Sequence, residues 1–91
     1  MAEPNAEYVI TPHAAFQMER RGLSEEIVRE VLAAPQQRLS VLGGREVFQS
    51  QMTIGGRRYL VRVIVDLYKN PPEVVTVYRT SKISRYWRNQ P

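Results

Sequence analysis

A Gly55-Gly56 pair separates two stretches in which apolar and polar residues alternate, and this feature constrains the fold more than any other. A two-residue glycine linker between alternating segments is typical of a tight β-hairpin turn, which fixes the register of the flanking strands. The resulting register places Phe48 opposite Val63 on one face of the hairpin and Gln49 opposite Arg62 on the other. One face is therefore apolar and the other polar, and a slip of one residue would mix them.

Alternation on either side of this hairpin predicts further strands in the same sheet. We expect strands at 37–42, 46–54, 57–67 and 74–78. In the last of these, Val75 and Val77 should join the apolar face, which leaves Tyr78 on the polar face. The chain beyond it is expected to form coil or a short helical turn.

Two helices are predicted before the sheet. Thr11 is a suitable N-cap and Pro12 a suitable first helical residue, while Gly22 provides a stop signal. Ser24 opens the second helix and Pro35 ends it. The short connection resembles a DNA-binding helix-turn-helix, but the second helix carries three glutamates and one arginine. We reject that interpretation because DNA phosphates would repel an acidic recognition helix.

The sequence therefore predicts an α+β domain. Two N-terminal helices pack on the apolar face of an antiparallel sheet of three to four strands, and the opposite face stays open and polar. Residues 1–9 are expected to be a flexible lead-in and residues 10–91 a single domain, because 91 residues leave no room for a second core. No signal peptide or membrane-spanning apolar run is recognisable, so a cytoplasmic protein is the expectation.

Composition narrows the chemistry. The chain has no cysteine, which excludes disulfides, thiol catalysis and cysteine-bound zinc, and its one histidine gives little support for a metal site. The net charge of +4 is uneven: residues 1–44 carry four arginines and six glutamates, whereas residues 45–91 carry nine lysines and arginines and three acids.

The segment 78–88 combines cations, aromatic rings and hydroxyls without any acid. This composition is suited to RNA, because cations neutralise phosphates, hydroxyls hydrogen-bond to them and aromatic rings stack on bases. Its aromatic residues can equally anchor the tail to the body of the protein. The arginines that we predict to bind RNA are Arg21, Arg58, Arg62, Arg79, Arg85 and Arg88.

Three residues of the first helix have two interpretations each. His13 in the first turn is either an exposed residue without a role or a general acid or base, because histidine titrates closest to neutral pH. Arg20 and Arg21 either stabilise the C-terminal end of the helix dipole or bind phosphate. The sequence alone does not decide between them.

Three segments carry a family resemblance: Thr11-Pro12-His13-Ala14, Met18-Glu19-Arg20-Arg21-Gly22-Leu23-Ser24 and Val75-Thr76-Val77-Tyr78. Together they resemble a family of small bacterial domains of unknown function that is grouped with RelE-like and BrnT-like toxins, in the barnase–EndoU–colicin–RelE class of ribonucleases. The resemblance implies a RelE-like fold and a metal-independent endoribonuclease toxin of a toxin–antitoxin system, without a cofactor. The catalytic residues that it implies are His13, Arg20, Tyr78, Thr80 and Lys82.

In the implied reaction the RNA 2′-hydroxyl attacks the adjacent phosphate. His13 moves the proton, with Tyr78 or Lys82 as the alternative donor, Arg20 and Lys82 stabilise the phosphoryl charge, and Thr80 holds the phosphate. The implied partners are RNA, including ribosome-bound mRNA, and an acidic antitoxin protein; no membrane and no metal takes part. Two other interpretations remain: an inactive RNA-binding module, and a protein-interaction domain whose basic face meets an acidic partner.

Overall fold

The computed structural model describes residues 8–41 and 43–89 and shows an α+β fold. The elements in chain order are β1 (Val9–Ile10), α1 (Pro12–Arg20), α2 (Glu25–Ala33), β2 (Gln37–Val41), β3 (Arg45–Ile54), β4 (Arg57–Asp66), β5 (Glu73–Thr80) and α3 (Ile83–Tyr86). The strands form one five-stranded sheet in the order β1-β5-β4-β3-β2. Neighbouring strands are antiparallel except β1 and β5, which are parallel.

Both predicted helix caps are present. The Thr11 hydroxyl accepts a hydrogen bond from the Ala14 amide at 3.1 Å and donates one to the Val74 carbonyl at 3.0 Å, which joins the start of α1 to β5. The Ser24 hydroxyl accepts from the Ile27 amide at 3.2 Å at the start of α2. These caps supply partners for backbone groups that the first helical turn leaves unpaired.

The register predicted for the β3–β4 hairpin is confirmed. Phe48 lies opposite Val63 and Gln49 opposite Arg62. Gly55 and Gly56 both have positive φ angles, 60° and 80°, as the two central residues of a type I′ turn require.

The apolar core lies between this sheet and the first two helices. Phe48 is its one buried aromatic residue among those described, and valines from β4 and β5 surround it. The core residues are Ala14, Met18, Leu23, Val28, Val31, Leu32, Phe48, Val61, Val63, Val65, Val74 and Val77.

A bulge changes which valines of β5 face this core. The register between β4 and β5 shifts between Ile64 and Val65, so that Val74 and Val77 lie opposite core residues and are fully buried. Val77 was predicted correctly, but the prediction for Val75 is wrong because it assumed unbroken alternation along the strand.

The sheet has five strands rather than the three to four predicted, and the helices are not all N-terminal. Val9 belonged to the predicted lead-in, but it lies in β1 and pairs with Glu73 at the start of β5. A strand of two residues is too short for alternation to reveal. The additional helix, α3, follows the sheet. Residues 1–7 and Leu42, which was predicted to end a strand, lie outside the described residues.

The second face of the sheet is not open, contrary to the prediction. Gln49 and Leu60 on this face are fully buried, and Val47 is nearly so. The C-terminal segment 83–89 lies across it. The Gln49 side chain donates a hydrogen bond to the Tyr86 carbonyl, and the Gln37 side chain donates one to the Arg88 carbonyl and accepts one from the Arg88 amide. Burial of the apolar Val47 and Leu60 on this face favours the return of the tail onto the sheet.

Helix α1 covers the outer edge of β5 beyond the short β1. The Gln17 side-chain oxygen accepts a hydrogen bond from the Val77 amide at 3.3 Å, and the Arg21 guanidinium donates one to the Val77 carbonyl at 3.1 Å. At the other side of the sheet, β2 has no neighbouring strand among the described residues. No helix in the described ranges is long and apolar enough to cross a membrane.

Candidate functional site

A polar network occupies the centre of the sheet face opposite α1 and α2. Arg62 donates from Nε to the Gln49 side-chain oxygen at 2.8 Å and from Nη1 to the Tyr78 hydroxyl. The Gln49 amide nitrogen donates to the Gln37 side-chain oxygen at 2.7 Å and to the Tyr86 carbonyl at 3.2 Å. Every polar atom of the buried Gln49 side chain therefore has a partner. We call these five residues the Arg62 network.

Aromatic rings hold the cation of this network. The Arg62 guanidinium carbon lies 4.5 Å from the ring centroid of Tyr86 and 5.6 Å from that of Tyr78. The two rings meet edge to face at 6.3 Å, and Arg21 approaches the Tyr78 ring to 5.9 Å. Two guanidiniums thus share one tyrosine, and cation–π attraction, rather than a carboxylate, holds them in place.

Ion pairs are scarce over the described part of the chain. Arg29 pairs with Glu25 at 2.9 Å and Arg38 with Glu46 at 2.6 Å. None of the remaining described lysines and arginines has a carboxylate within salt-bridge distance.

Six of these cations lie at one end of the molecule, where β4 begins and β5 and α1 end. We call this group the basic end; it consists of Arg20, Arg21, Arg57, Arg58, Arg79 and Lys82. At the opposite end of the same two strands, Asp66 of β4 lies opposite Glu73 of β5. The charge is therefore separated along the strands, which creates a positive field at one end.

Three of the predicted catalytic residues lie close together at this end. Tyr78 and Thr80 share the face of β5 that carries the Arg62 network, and Thr80 lies opposite Leu60. The Thr80 hydroxyl accepts a hydrogen bond from the Lys82 amide at 3.0 Å, while the Lys82 side chain is exposed. The structure therefore brings Tyr78, Thr80 and Lys82 together.

His13 does not join that group. It lies exposed in the first turn of α1, next to the Val74 end of β5, and makes no hydrogen bond or ion pair with any described residue. Val74 and Thr80 are six residue steps apart along β5, a distance of about 20 Å. Arg20 lies at the other end of α1, exposed, with its guanidinium 5.7 Å from the ring centroid of Phe16.

The arginines that were predicted to bind RNA lie on both faces of the sheet. Arg58 shares the face of Arg62 and reaches the Thr53 hydroxyl at 3.4 Å. Arg79 lies on the face that bears the helices, opposite Val61. Arg85 and Arg88 are exposed on the C-terminal segment.

The site residues predicted from the sequence did not include Gln37, Gln49, Tyr86 or Arg57. The hairpin register already placed Gln49 opposite Arg62, and this pairing of two polar side chains in the middle of two strands was the available signal. Gln37 joins the network through the pairing of β2 with β3. Tyr86 joins it only through the return of the tail, for which no local pattern exists. No group of three or more potential metal ligands occurs among the described residues.

Comparison with known proteins gives one match. No curated protein and no solved structure shows significant similarity to the chain. The sequence profile of a domain of unknown function, DUF4258, matches residues 10–79, which extends from the end of β1 nearly to the end of β5. The matched part includes α1, the β3–β4 hairpin and most of the Arg62 network. The chain belongs to the DUF4258 family.

Proposed function

We propose that this chain is a toxin of the RelE-like type that binds RNA and cleaves it by attack of a 2′-hydroxyl on the adjacent phosphate. The observation that supports the proposal is the basic end, a group of cations without carboxylate partners beside the Arg62 network. Cations that are kept close without counter-charges repel one another, and a polyanion relieves that repulsion. RNA phosphates supply such charges at regular spacing.

The reacting phosphate lies, in this proposal, between the Tyr78 hydroxyl and the exposed Lys82. The 2′-oxygen forms a bond to phosphorus, and the bond from phosphorus to the 5′-oxygen breaks. The 2′-hydroxyl loses its proton and the departing 5′-oxygen gains one, which yields a 2′,3′-cyclic phosphate and a 5′-hydroxyl end. Arg21 and Arg62 stabilise the charge that develops on the phosphoryl oxygens.

The position of His13 decides whether His13 or the pair of Tyr78 and Lys82 acts on the reacting phosphate in this proposal. One phosphate cannot contact both His13 and Lys82, because these residues lie near opposite ends of β5. We therefore assign donation of the proton to the departing 5′-oxygen to Tyr78 or Lys82, the alternative donors predicted from the sequence, while solvent water accepts the proton of the 2′-hydroxyl. Catalysis by His13 remains a prediction that requires a separate RNA position along α1.

A second candidate function is RNA binding without cleavage. The observation that favours it is the position of His13, the one histidine of the chain, which lies about 20 Å from Thr80. The same basic end serves this function, and an acidic protein covering it would block RNA in either case. Such a protein is the antitoxin that the toxin proposal requires.

The test is RNA cleavage in excess EDTA, on free RNA and on mRNA in a reconstituted translation mixture. The variants are Tyr78→Phe, Lys82→Ala and His13→Ala. Lys69→Ala is the matched control, because Lys69 is also exposed but follows the acidic end of β4. Binding is measured in parallel by fluorescence anisotropy of labelled RNA.

We expect the wild type and His13→Ala to produce cyclic-phosphate ends, and Tyr78→Phe and Lys82→Ala to lose cleavage while they still bind RNA. Loss in His13→Ala alone would refute the assignment to Tyr78 and Lys82. If the wild type binds RNA tightly and in a salt-dependent way but cleaves neither substrate, the second candidate function, RNA binding without cleavage, would be established. A wild type that neither binds nor cleaves RNA would refute both functions.

A further inference from the structure

We propose that Arg57, Tyr59 and Arg79 form a second phosphate-binding subsite for single-stranded RNA, on the sheet face that bears α1 and α2. This inference rests on the proposed RNA binding and deepens it. It implies that a bound RNA passes around the end of the sheet where β4 begins and β5 ends, and that the RNA contacts both faces of the sheet. The Arg62 network lies on one face, and the new subsite lies on the other.

Tyr59 is the centre of the subsite. It lies opposite Met52 in the β3–β4 hairpin and is half-buried at the rim of the core. The guanidinium carbon of Arg79 lies 4.5 Å from its ring centroid, and that of Arg57 lies 5.8 Å from the same centroid. One ring therefore positions two arginines from two different strands.

The two guanidiniums have no carboxylate partner among the described residues. The ring quadrupole attracts each of them, but they repel each other. Arg57 precedes Tyr59 on β4 and Arg79 lies opposite Val61, so the two arginines flank the ring. A phosphate at the exposed edge of the ring, within reach of both, would reduce this repulsion and accept hydrogen bonds from both planar donor groups, for which arginine geometry is well suited. The arrangement is therefore prepared for an anion, and Tyr59 acts as a positioning residue that does not contact it.

The helices do not block this position. The turn between α1 and α2 borders it, because a Cβ atom built on Gly22 would lie 3.8 Å from Nη2 of Arg79. Arg57 is exposed and Arg79 is half-exposed. An RNA phosphate can therefore approach from solvent beside this turn.

Strand geometry explains how one RNA reaches both subsites. Successive side chains of a strand point to opposite faces, so Arg79 lies on the helix-bearing face, while Tyr78 and Thr80 lie on the other. The end of β5 thus presents phosphate-binding groups alternately to both sides. A single strand is flexible enough to follow such a path, and proteins that bind single strands commonly guide the backbone through a positively charged groove.

The test measures binding of a labelled single-stranded RNA by anisotropy over a series of salt concentrations. The variants are Arg57→Gln, Arg79→Gln, Tyr59→Phe and Tyr59→Leu, and the matched control is Arg45→Gln, an exposed arginine that lies opposite Asp66 at the far end of the sheet. Circular dichroism verifies that each variant is folded.

We expect Arg57→Gln and Arg79→Gln each to weaken binding about tenfold, the loss of one charge-assisted hydrogen bond. Each should also lower the slope of log K against log salt by about 0.7, the value for one phosphate of a single strand. Tyr59→Phe should bind as the wild type does, because its ring still holds both arginines. Tyr59→Leu should weaken binding although it removes no charge.

Unchanged affinity and slope in both arginine variants, with the wild type binding RNA, would overturn the subsite and leave the proposed function standing. A wild type that does not bind RNA would overturn the proposed function instead. In that case inorganic pyrophosphate tests the subsite: it should raise the Tm of the wild type and not that of Arg79→Gln. Equal Tm shifts would overturn the subsite as well.

Discussion

Replacement of Gln49 by leucine should destabilise the protein strongly, although leucine suits a buried strand. The Gln49 side chain is fully buried and takes part in three hydrogen bonds, to Arg62, to Gln37 and to the Tyr86 carbonyl. Leucine replaces none of them. The change therefore leaves a guanidinium N–H and a backbone carbonyl without their partners, and the Gln37 side-chain oxygen keeps only its hydrogen bond from the Arg88 amide.

The expected loss can be worked out from these three bonds. Each neutral hydrogen bond contributes about 1 kcal/mol, and the bond to the charged Arg62 about 1.5–3 kcal/mol. The partners are half-buried, so water recovers part of this, while the added apolar surface of leucine offsets some of the rest. We expect the free energy of unfolding to fall by about 2–4 kcal/mol, a large fraction of the roughly 5–15 kcal/mol typical of a domain.

Urea denaturation measures this loss, and Gln51→Leu is the matched control. Gln51 lies two residues further along β3 on the same face, and only its backbone takes part in hydrogen bonds with Gln36. The single tryptophan, Trp87, follows the anchored Tyr86, so its fluorescence should shift to longer wavelength when Gln49→Leu releases the tail. A loss below about 1 kcal/mol, or equal losses in both variants, would refute the argument.

Two further predictions concern the edge of β5 and the start of α2. Gln17→Leu should leave the Val77 amide unpaired, lower the free energy of unfolding by about 1–2 kcal/mol and speed hydrogen exchange at that amide; unchanged exchange would contradict the proposed edge contact. Ser24→Ala removes the cap on the Ile27 amide and should cost about 1 kcal/mol, which lowers Tm by about 4–8 °C in a domain of this size; Ser24→Asp should retain most of the stability.

The parts of the fold that the sequence predicted are those determined by local chemistry. Two glycines with positive φ angles set the β3–β4 turn, and alternation on both sides then left one consistent register. Thr11 and Ser24 marked the helix starts because each is a cap whose hydrogen bond closes within three residues. In such cases the residue and its partner lie within a few positions of each other in the sequence.

The missed features depend on contacts between distant parts of the chain. Strand β1 exists only because Val9 and Ile10 pair with the start of β5, more than sixty residues away in the sequence. The bulge in β5 is a response to packing against β4 and leaves no mark on the sequence.

The candidate site shows the same division. The pairing of Gln49 with Arg62 followed from the hairpin register, whereas the stacking of Arg57 and Arg79 on Tyr59 required the relative position of two strands and the path of the α1–α2 turn. The return of the tail required the side chains of β2 and β3 to be in place first. Long-range geometry of this kind cannot be obtained from spacing.

The unequal edges of the sheet have a consequence for self-assembly. At one side a two-residue strand and the side chains of Gln17 and Arg21 occupy the backbone groups that an incoming strand would need, while at the other side no strand within residues 8–41 and 43–89 pairs with the outer edge of β2. A fibre that grows by edge-to-edge pairing of sheets requires an unpaired strand edge on both sides of every copy. With one such edge, addition stops after two copies meet through β2, and growth by this route ends in a closed pair.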